Sequence, residues 1–234
     1  MTKLLECKKL CKSYGDKTVL KDINISLEKG KIVGLLGKNG AGKTTIIKLI
    51  NGLLTPTSGT ISVDGHPVGV ESKKAVSYLP ERTYLNKSMS VAETIKYFAD
   101  FYEDFDTEKA HKLVKDFDID ESAKLNKLSK GMQEKVQIAL VMSRHAKLYI
   151  MDEPLGGVDP ATRDYILDTI LQNFDDGASM LISTHLISDI ERILDEVIFI
   201  DHGEIKLQSD ADALRAKHKK SIDEIFRKEF KNVR

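Results

Sequence analysis

The stretch Gly37-Lys38-Asn39-Gly40-Ala41-Gly42-Lys43-Thr44 constrains this chain more than any other. It follows the apolar run Ile32-Val33-Gly34-Leu35-Leu36 and leads into a segment, Lys43 to Asn51, with helical apolar spacing. A buried strand, a glycine loop and a helix in that order make a P-loop. The glycines let successive backbone N–H groups turn inward toward phosphate oxygens, and the helix adds the positive end of its dipole. Lys43 is placed to bridge the β- and γ-phosphates and the Thr44 hydroxyl to ligate Mg2+, with Thr45 counted among the nucleotide contacts. A glycine turn with a chance lysine is the competing account, and it leaves the joint spacing of Gly37, Gly40, Gly42, Lys43 and Thr44 after a strand unexplained. The loop implies nucleotide binding; kinases and switches also use it, so it does not alone imply hydrolysis.

The remaining pattern supplies a setting for that loop. Residues 1–30 alternate apolar and polar positions and read as antiparallel strands with turns at Tyr14-Gly15-Asp16 and Glu28-Lys29-Gly30. Short strands fit Thr60 to Val63 and Ala75 to Leu79, and helical spacing covers Val91 to Glu103 and Glu108 to Phe117. Units then alternate: helix 130–145, strand 148–151, helix 160–174, strand 179–183, helix 186–194, strand 196–201. Such alternation predicts a parallel sheet wrapped by helices.

Asp152 and Glu153 close the apolar strand Leu148 to Met151. Strand side chains alternate faces, so the two carboxylates are expected to do different work. Asp152 is read as the Mg2+ acid and Glu153 as general base or positioner for an attacking water; a solvated acidic turn is the plain alternative. His185 stands at another strand end, where α/β sheets gather ligand-contacting residues, although a histidine there is ordinarily a helix cap or a buried polar group.

Taken in order, these motifs resemble the ATP-binding-cassette ATPases over roughly residues 3–210, and Leu128-Ser129-Lys130-Gly131-Met132-Gln133 is similar to that family's signature loop. The resemblance implies an α/β fold: a P-loop NTPase core with a mostly parallel sheet, an N-terminal antiparallel β subdomain and a helical subdomain at about 86–145. It implies one ATP-binding domain over 1–220, with 221–234 as a short C-terminal helical extension. It implies ATP and Mg2+ as cofactors. It further implies a second nucleotide-binding domain, homodimeric or related, whose ATP is met by Ser129 and Gly131 of this chain. Tyr14 matches the residue that stacks on adenine, and a turn residue is the alternative. His185 matches the switch histidine and joins Glu153 as catalytic. Gly156-Gly157-Val158-Asp159 matches the loop between the two ATP sites, although Asp159-Pro160 also reads as a helix cap. The family usually has Gln where this chain has Glu81, which is expected at the metal, and it usually has Gly and Gln at the positions of Lys130 and Met132. Those variants resemble a subgroup of drug, lipid and antibiotic-resistance exporters, which implies export through a transmembrane permease on a separate chain.

Composition narrows the alternatives. The 36 basic and 36 acidic residues cancel, so no general attraction to nucleic acid is expected. No apolar run approaches the roughly 18–20 residues that cross a bilayer, and no secretory signal is evident, so a cytoplasmic location on the inner membrane face is expected. Cys7 and Cys11 are expected to be reduced packing residues. Ile222, Ile225, Phe226 and Phe230 recur at helical spacing after the basic run Arg215 to Lys220, reading as a packed terminal helix, with a partner contact as the alternative. The competing functions are an ATPase of the same superfamily acting on ribosomes or DNA, and a small-molecule kinase, which the signature loop disfavours.

Overall fold

The computed structural model describes residues 3–156 and 158–230; Gly157, residues 1–2 and residues 231–234, each within a segment discussed above, lie outside the described residues. The chain runs β1 (Lys3–Tyr14), β2 (Lys17–Glu28), β3 (Ile32–Leu36), α1 (Lys43–Ile50), β4 (Ser58–Val63), β5 (His66–Pro67), α2 (Val70–Lys74), β6 (Val76–Leu79), α3 (Val91–Phe101) and α4 (Thr107–Asp116). It continues with α5 (Lys130–Met142), β7 (Leu148–Asp152), α6 (Pro160–Gln172), β8 (Ser179–Thr184), α7 (Ile187–Ile190), β9 (Glu196–Asp201), β10 (Glu204–Asp210), α8 (Ala211–His218) and α9 (Ile222–Phe230).

The strands form an antiparallel sheet ordered β2-β1-β4-β5 and a larger sheet ordered β10-β9-β3-β8-β7-β6. In the larger one β9, β3, β8, β7 and β6 are parallel, and β10 pairs antiparallel with β9. β7 and β8 are buried along their whole length, as strands covered on both faces must be. Their side chains divide by parity. Leu148, Ile150, Leu181, Ile198 and Ile200 join a core with α1 and the antiparallel sheet, while Tyr149, Met151, Met180, Ile182, Val197 and Phe199 join one with α3 to α6. This is an α/β P-loop NTPase fold with its loop between β3 and α1.

Several expected boundaries move for identifiable reasons. The helix read as 130–145 ends at Met142, where the Ser143 hydroxyl donates to the Ala139 carbonyl and Arg144 turns inward. Arg144 is 4% exposed. Its guanidinium donates to both carboxylate oxygens of Asp104 and to the Val76 and Lys74 carbonyls, and lies 4.0 Å over the Tyr102 ring. That set fastens the helical segment to the edge of the sheet.

The helix read as 186–194 is a turn of α7 followed by a 3-10 turn, Glu191–Ile193. The chain must extend at Leu194 so that Asp195 can take the Ile32 amide on its carboxylate and enter β9 beside β3. β10 and α8 were not foreseen, although Ile205 and Leu207 alternate with polar residues. α9 forms as its spacing predicts, with Ile222, Ile225 and Phe230 buried.

Candidate nucleotide site

The site lies where β3, β7 and β8 end beside one another. β3 ends in the loop, and Gly37 stays close to the sheet, because a Cβ there would sit 2.6 Å from the Ile200 carbonyl oxygen. Gly40 and Gly42 have φ of 80° and 114°, the left-handed region that glycine enters freely. A fourth glycine, absent from the sequence reading, locks the loop from outside. Gly203 lies in the β9–β10 turn, donates its N–H to the Ala41 carbonyl (3.0 Å) and accepts from the Lys21 N–H (2.8 Å). A Cβ on Gly203 would overlap the Val19 carbonyl oxygen. With His202 at φ 46° and Gly203 at φ 74°, the hairpin turn is of the type that needs positive φ at both central residues.

Lys43 Nζ donates to the Gly37 carbonyl (2.8 Å) and the Lys38 carbonyl (3.3 Å), and lies 3.4 Å from Glu153 Oε1. Both partners of that ion pair are nearly buried, with side chains 6% and 11% exposed. Glu153 Oε2 lies 2.9 Å from His185 Nδ1, whose proton it accepts, and takes the His185 backbone N–H at 3.3 Å. The Glu153 carboxylate is therefore held between an ammonium and an imidazole. Glu153 has φ 52°, and its amide donates to the Ser183 carbonyl. The two acids part company through this left-handed turn, where the sequence reading relied on strand alternation alone.

Asp152 keeps the parity of Ile150 and faces α1. Its Oδ1 accepts from the Thr44 hydroxyl at 3.3 Å and from the Ser183 hydroxyl at 2.5 Å. Burial raises its carboxyl pKa above the usual carboxylate range; those two hydrogen bonds oppose the rise, and the charges of Glu153 and Glu81 reinforce it. Ser183 is a residue the sequence reading missed. It becomes legible once β7 and β8 are known to be neighbours, since it is the register partner of Asp152.

A cleft of about 1020 Å³ opens over these groups. Asn39, Gly40, Gly42, Lys43, Thr44, Thr45, Glu81, Asp152, Glu153 and His185 line it, and Lys130, Gln133, Glu134 and Gln137 of α5 form the far wall. Among the described residues, the buried side-chain atoms without a hydrogen-bond partner are Glu134 Oε2, Gln137 Nε2 and Asp152 Oδ2, all on residues lining this cleft. The free Asp152 oxygen beside the Thr44 hydroxyl suits a hard cation held by one carboxylate, one hydroxyl and ligand phosphates. No group of three or more His, Cys, Asp or Glu side chains able to hold a metal occurs among the described residues.

The other expected residues fall elsewhere. Gly37, Lys38 and Ala41 shape the loop from behind and do not line the cleft. Tyr14 is exposed, with Lys12 Nζ 4.9 Å from its ring centroid, and does not line it either. Ser129 caps α5 by accepting the Met132 N–H, and neither it nor Gly131 lines the cleft of its own chain. Asp159 caps α6, with Pro160 in the first turn, accepting from the Thr162 N–H and hydroxyl.

A P-loop, a buried aspartate with one unpartnered oxygen and a glutamate–histidine pair at adjoining strand ends are the parts of a nucleotide-hydrolysing P-loop domain. Comparison with known proteins narrows that class. The ABC transporter family model matches residues 20–156. The linearmycin resistance ATP-binding protein LnrL of Bacillus subtilis (strain 168) is 33% identical, over 86% of this chain and 68% of that protein. The SkfA peptide export ATP-binding protein SkfE of the same organism is 32% identical, over 86% of this chain and 87% of that protein. A solved structure of the ATP binding subunit of an ABC transporter superposes with a TM-score of 0.86 at 32% identity, over 96% of this chain and 98% of that one. The chain belongs to the ABC transporter family. It is an ATP-binding subunit and an ATPase.

Proposed function

We propose that this subunit powers export through a separate membrane-spanning permease, hydrolysing ATP at a site completed by a second nucleotide-binding domain. The observation that carries the catalytic part is the Glu153 carboxylate held between Lys43 and His185 at the mouth of the P-loop. In this reading the P-loop amides and Lys43 hold the triphosphate, Thr44 and Asp152 hold Mg2+, and Glu153 takes the proton of the attacking water while His185 fixes its orientation. Bound there, the ion would neutralise charge on the phosphate oxygens. Glu81 faces the same cleft and adds negative charge near the metal position. Tyr14 would stack on the adenine. Ser129 and Gly131, at the start of α5 and outside their own cleft, would be offered to ATP on the opposite protomer, with Asp159 near the joint between sites.

Closure follows from ATP touching both halves only when they meet. The helical segment at about 86–145, and residues 82–105 in particular, would carry that motion to the permease, within a domain over 1–220 that residues 221–234 extend. No described helix is long and apolar enough to cross a membrane, and the proposed location is the inner face of the cell membrane. Export is supported by the names of LnrL, a resistance protein, and SkfE, a peptide export protein.

Affinity purification of the tagged chain from detergent-solubilised host membranes tests the partner. A polytopic membrane protein should be retained, and ribosomes or DNA in its place would overturn the reading. Reconstituted with that partner in vesicles, ATP hydrolysis should rise with amphiphilic compounds added on the ATP side. Stimulation only from the opposite side would show import.

A further inference from the structure

The last turn of α9 ends against the P-loop. Lys38, on the loop, donates from Nζ to the Phe230 carbonyl at 3.1 Å, so a cation meets the negative end of a helix dipole. A second path runs through β9. The Phe226 and Phe230 rings lie 4.3 Å apart and stand 5.3 and 6.0 Å from Phe199. The next residue, Ile200, is the one whose carbonyl leaves no room for a Cβ on Gly37. α9 thus bears on the loop directly through the Lys38 side chain, and indirectly through edge-on and tilted ring contacts and a strand with no slack behind Gly37.

The helix itself is firmly seated. Ser221 and Glu224 cap each other's backbone amides at 3.1 Å, and the Asp223 amide donates to Glu191 Oε2 at 3.0 Å. Ile222 and Ile225 are buried beneath it.

We propose that α9 is a positioning element for the nucleotide site: it anchors the Lys38 side chain outside the cleft and braces Gly37, keeping the loop in the curl that receives phosphates. A partner that lifts the last turn of α9 would then lower nucleotide affinity without touching the cleft. This rests on the P-loop as the ATP site and deepens that reading. The physical basis is preorganisation: a loop that must re-form on binding loses affinity by the cost of ordering it.

The test uses a fluorescent N-methylanthraniloyl ATP with Mg2+, titrated into the full chain and into a chain ended after Lys228, which lacks the Phe230 carbonyl and keeps Ile222 and Ile225. Loss of a charge-assisted hydrogen bond that preorganises the loop should weaken binding about threefold to tenfold, raising KM for ATP while kcat stays unchanged. Lys38→Met should weaken binding similarly in the full chain and add nothing in the shortened one. Unchanged or tighter binding by a shortened chain that still melts cooperatively overturns the proposal. So does an equal further loss from Lys38→Met in that chain, which would mean that Lys38 acts on phosphate independently of α9. Should the shortened chain fail to fold, Lys228→Pro in the full chain, which removes the amide donor of residue 228 and breaks the helix ahead of Phe230, takes its place with the same expectations. A full chain that does not bind the nucleotide at all would instead overturn the ATP site itself.

Discussion

Replacing Glu153 by glutamine isolates the proposed catalytic step. The amide has nearly the volume of the carboxylate and keeps an oxygen for the His185 backbone N–H, but it cannot accept a proton from water. General-base catalysis contributes roughly a hundredfold to ten-thousandfold, or about 3–5.5 kcal/mol of barrier at ~1.4 kcal/mol per tenfold. Glu153→Gln should therefore slow phosphate release by that range. Folding should suffer little: Lys43 keeps the Gly37 and Lys38 carbonyls as acceptors, and Asp152 is relieved of one of the charges that raise its pKa. Nucleotide binding should persist or tighten, because the Lys43 ammonium no longer has to leave a carboxylate at 3.4 Å to meet a phosphate. With the site completed by a second domain, ATP should trap a dimer that wild type leaves by hydrolysis. Single-turnover phosphate release and size-exclusion chromatography with Mg-ATP measure both. Turnover at the wild-type rate would refute the assignment of Glu153 as the base.

Gly37→Ala should cost about 1–3 kcal/mol of stability by overpacking, since its Cβ meets backbone oxygen at 2.6 Å. Gly40→Ala, with open space around its Cβ and φ 80°, should cost only the ~1–2 kcal/mol of left-handed strain; denaturant midpoints compare the two. Asp152→Asn should raise the melting temperature of the ligand-free protein while abolishing hydrolysis. The Asp152 pKa is raised on folding, so its ionised form weighs against the folded state above that pKa, and the gain should fade as pH falls toward the unfolded carboxylate value. Burial pushes the Cys7 thiol up to about 12, so a disulfide-exchange reagent at neutral pH should titrate Cys11 in the native protein and both cysteines only after unfolding. Arg144→Met leaves Asp104 and two carbonyls without their donor, and should cost about 3–5 kcal/mol, visible in urea unfolding; an unchanged midpoint would show that the hub is not holding the helical segment.

The part of the site most legible in the sequence was the part built by local rules. A P-loop needs only its own glycines and the elements on either side, so Gly37 to Thr44 could be placed without knowing the topology. The Asp152–Glu153 pair followed from where an apolar strand stops. What was not legible depends on partners distant in sequence. Ser183 matters because β8 lies beside β7 in register, and Gly203 because β9 returns to the back of the loop. The end of α5 at Met142 is set by Arg144 reaching Asp104 and the carbonyls of residues 74 and 76, a long-range bond that outweighs the helical pattern of the residues beyond. Short elements such as α2 and β5 carry too few residues for any periodicity to register.

The Asp201-His202-Gly203-Glu204 corner has a consequence for how such a chain can drift. Surface hairpins ordinarily tolerate insertions and deletions, yet here one residue, Gly203, joins the P-loop at Ala41 to the N-terminal sheet at Lys21. A single added or lost residue would undo both attachments together, and any side chain at position 203 would drive into Val19. This outward-facing bend is thus held to a fixed length as strictly as the interior, and length variation should collect at other surface corners of the molecule.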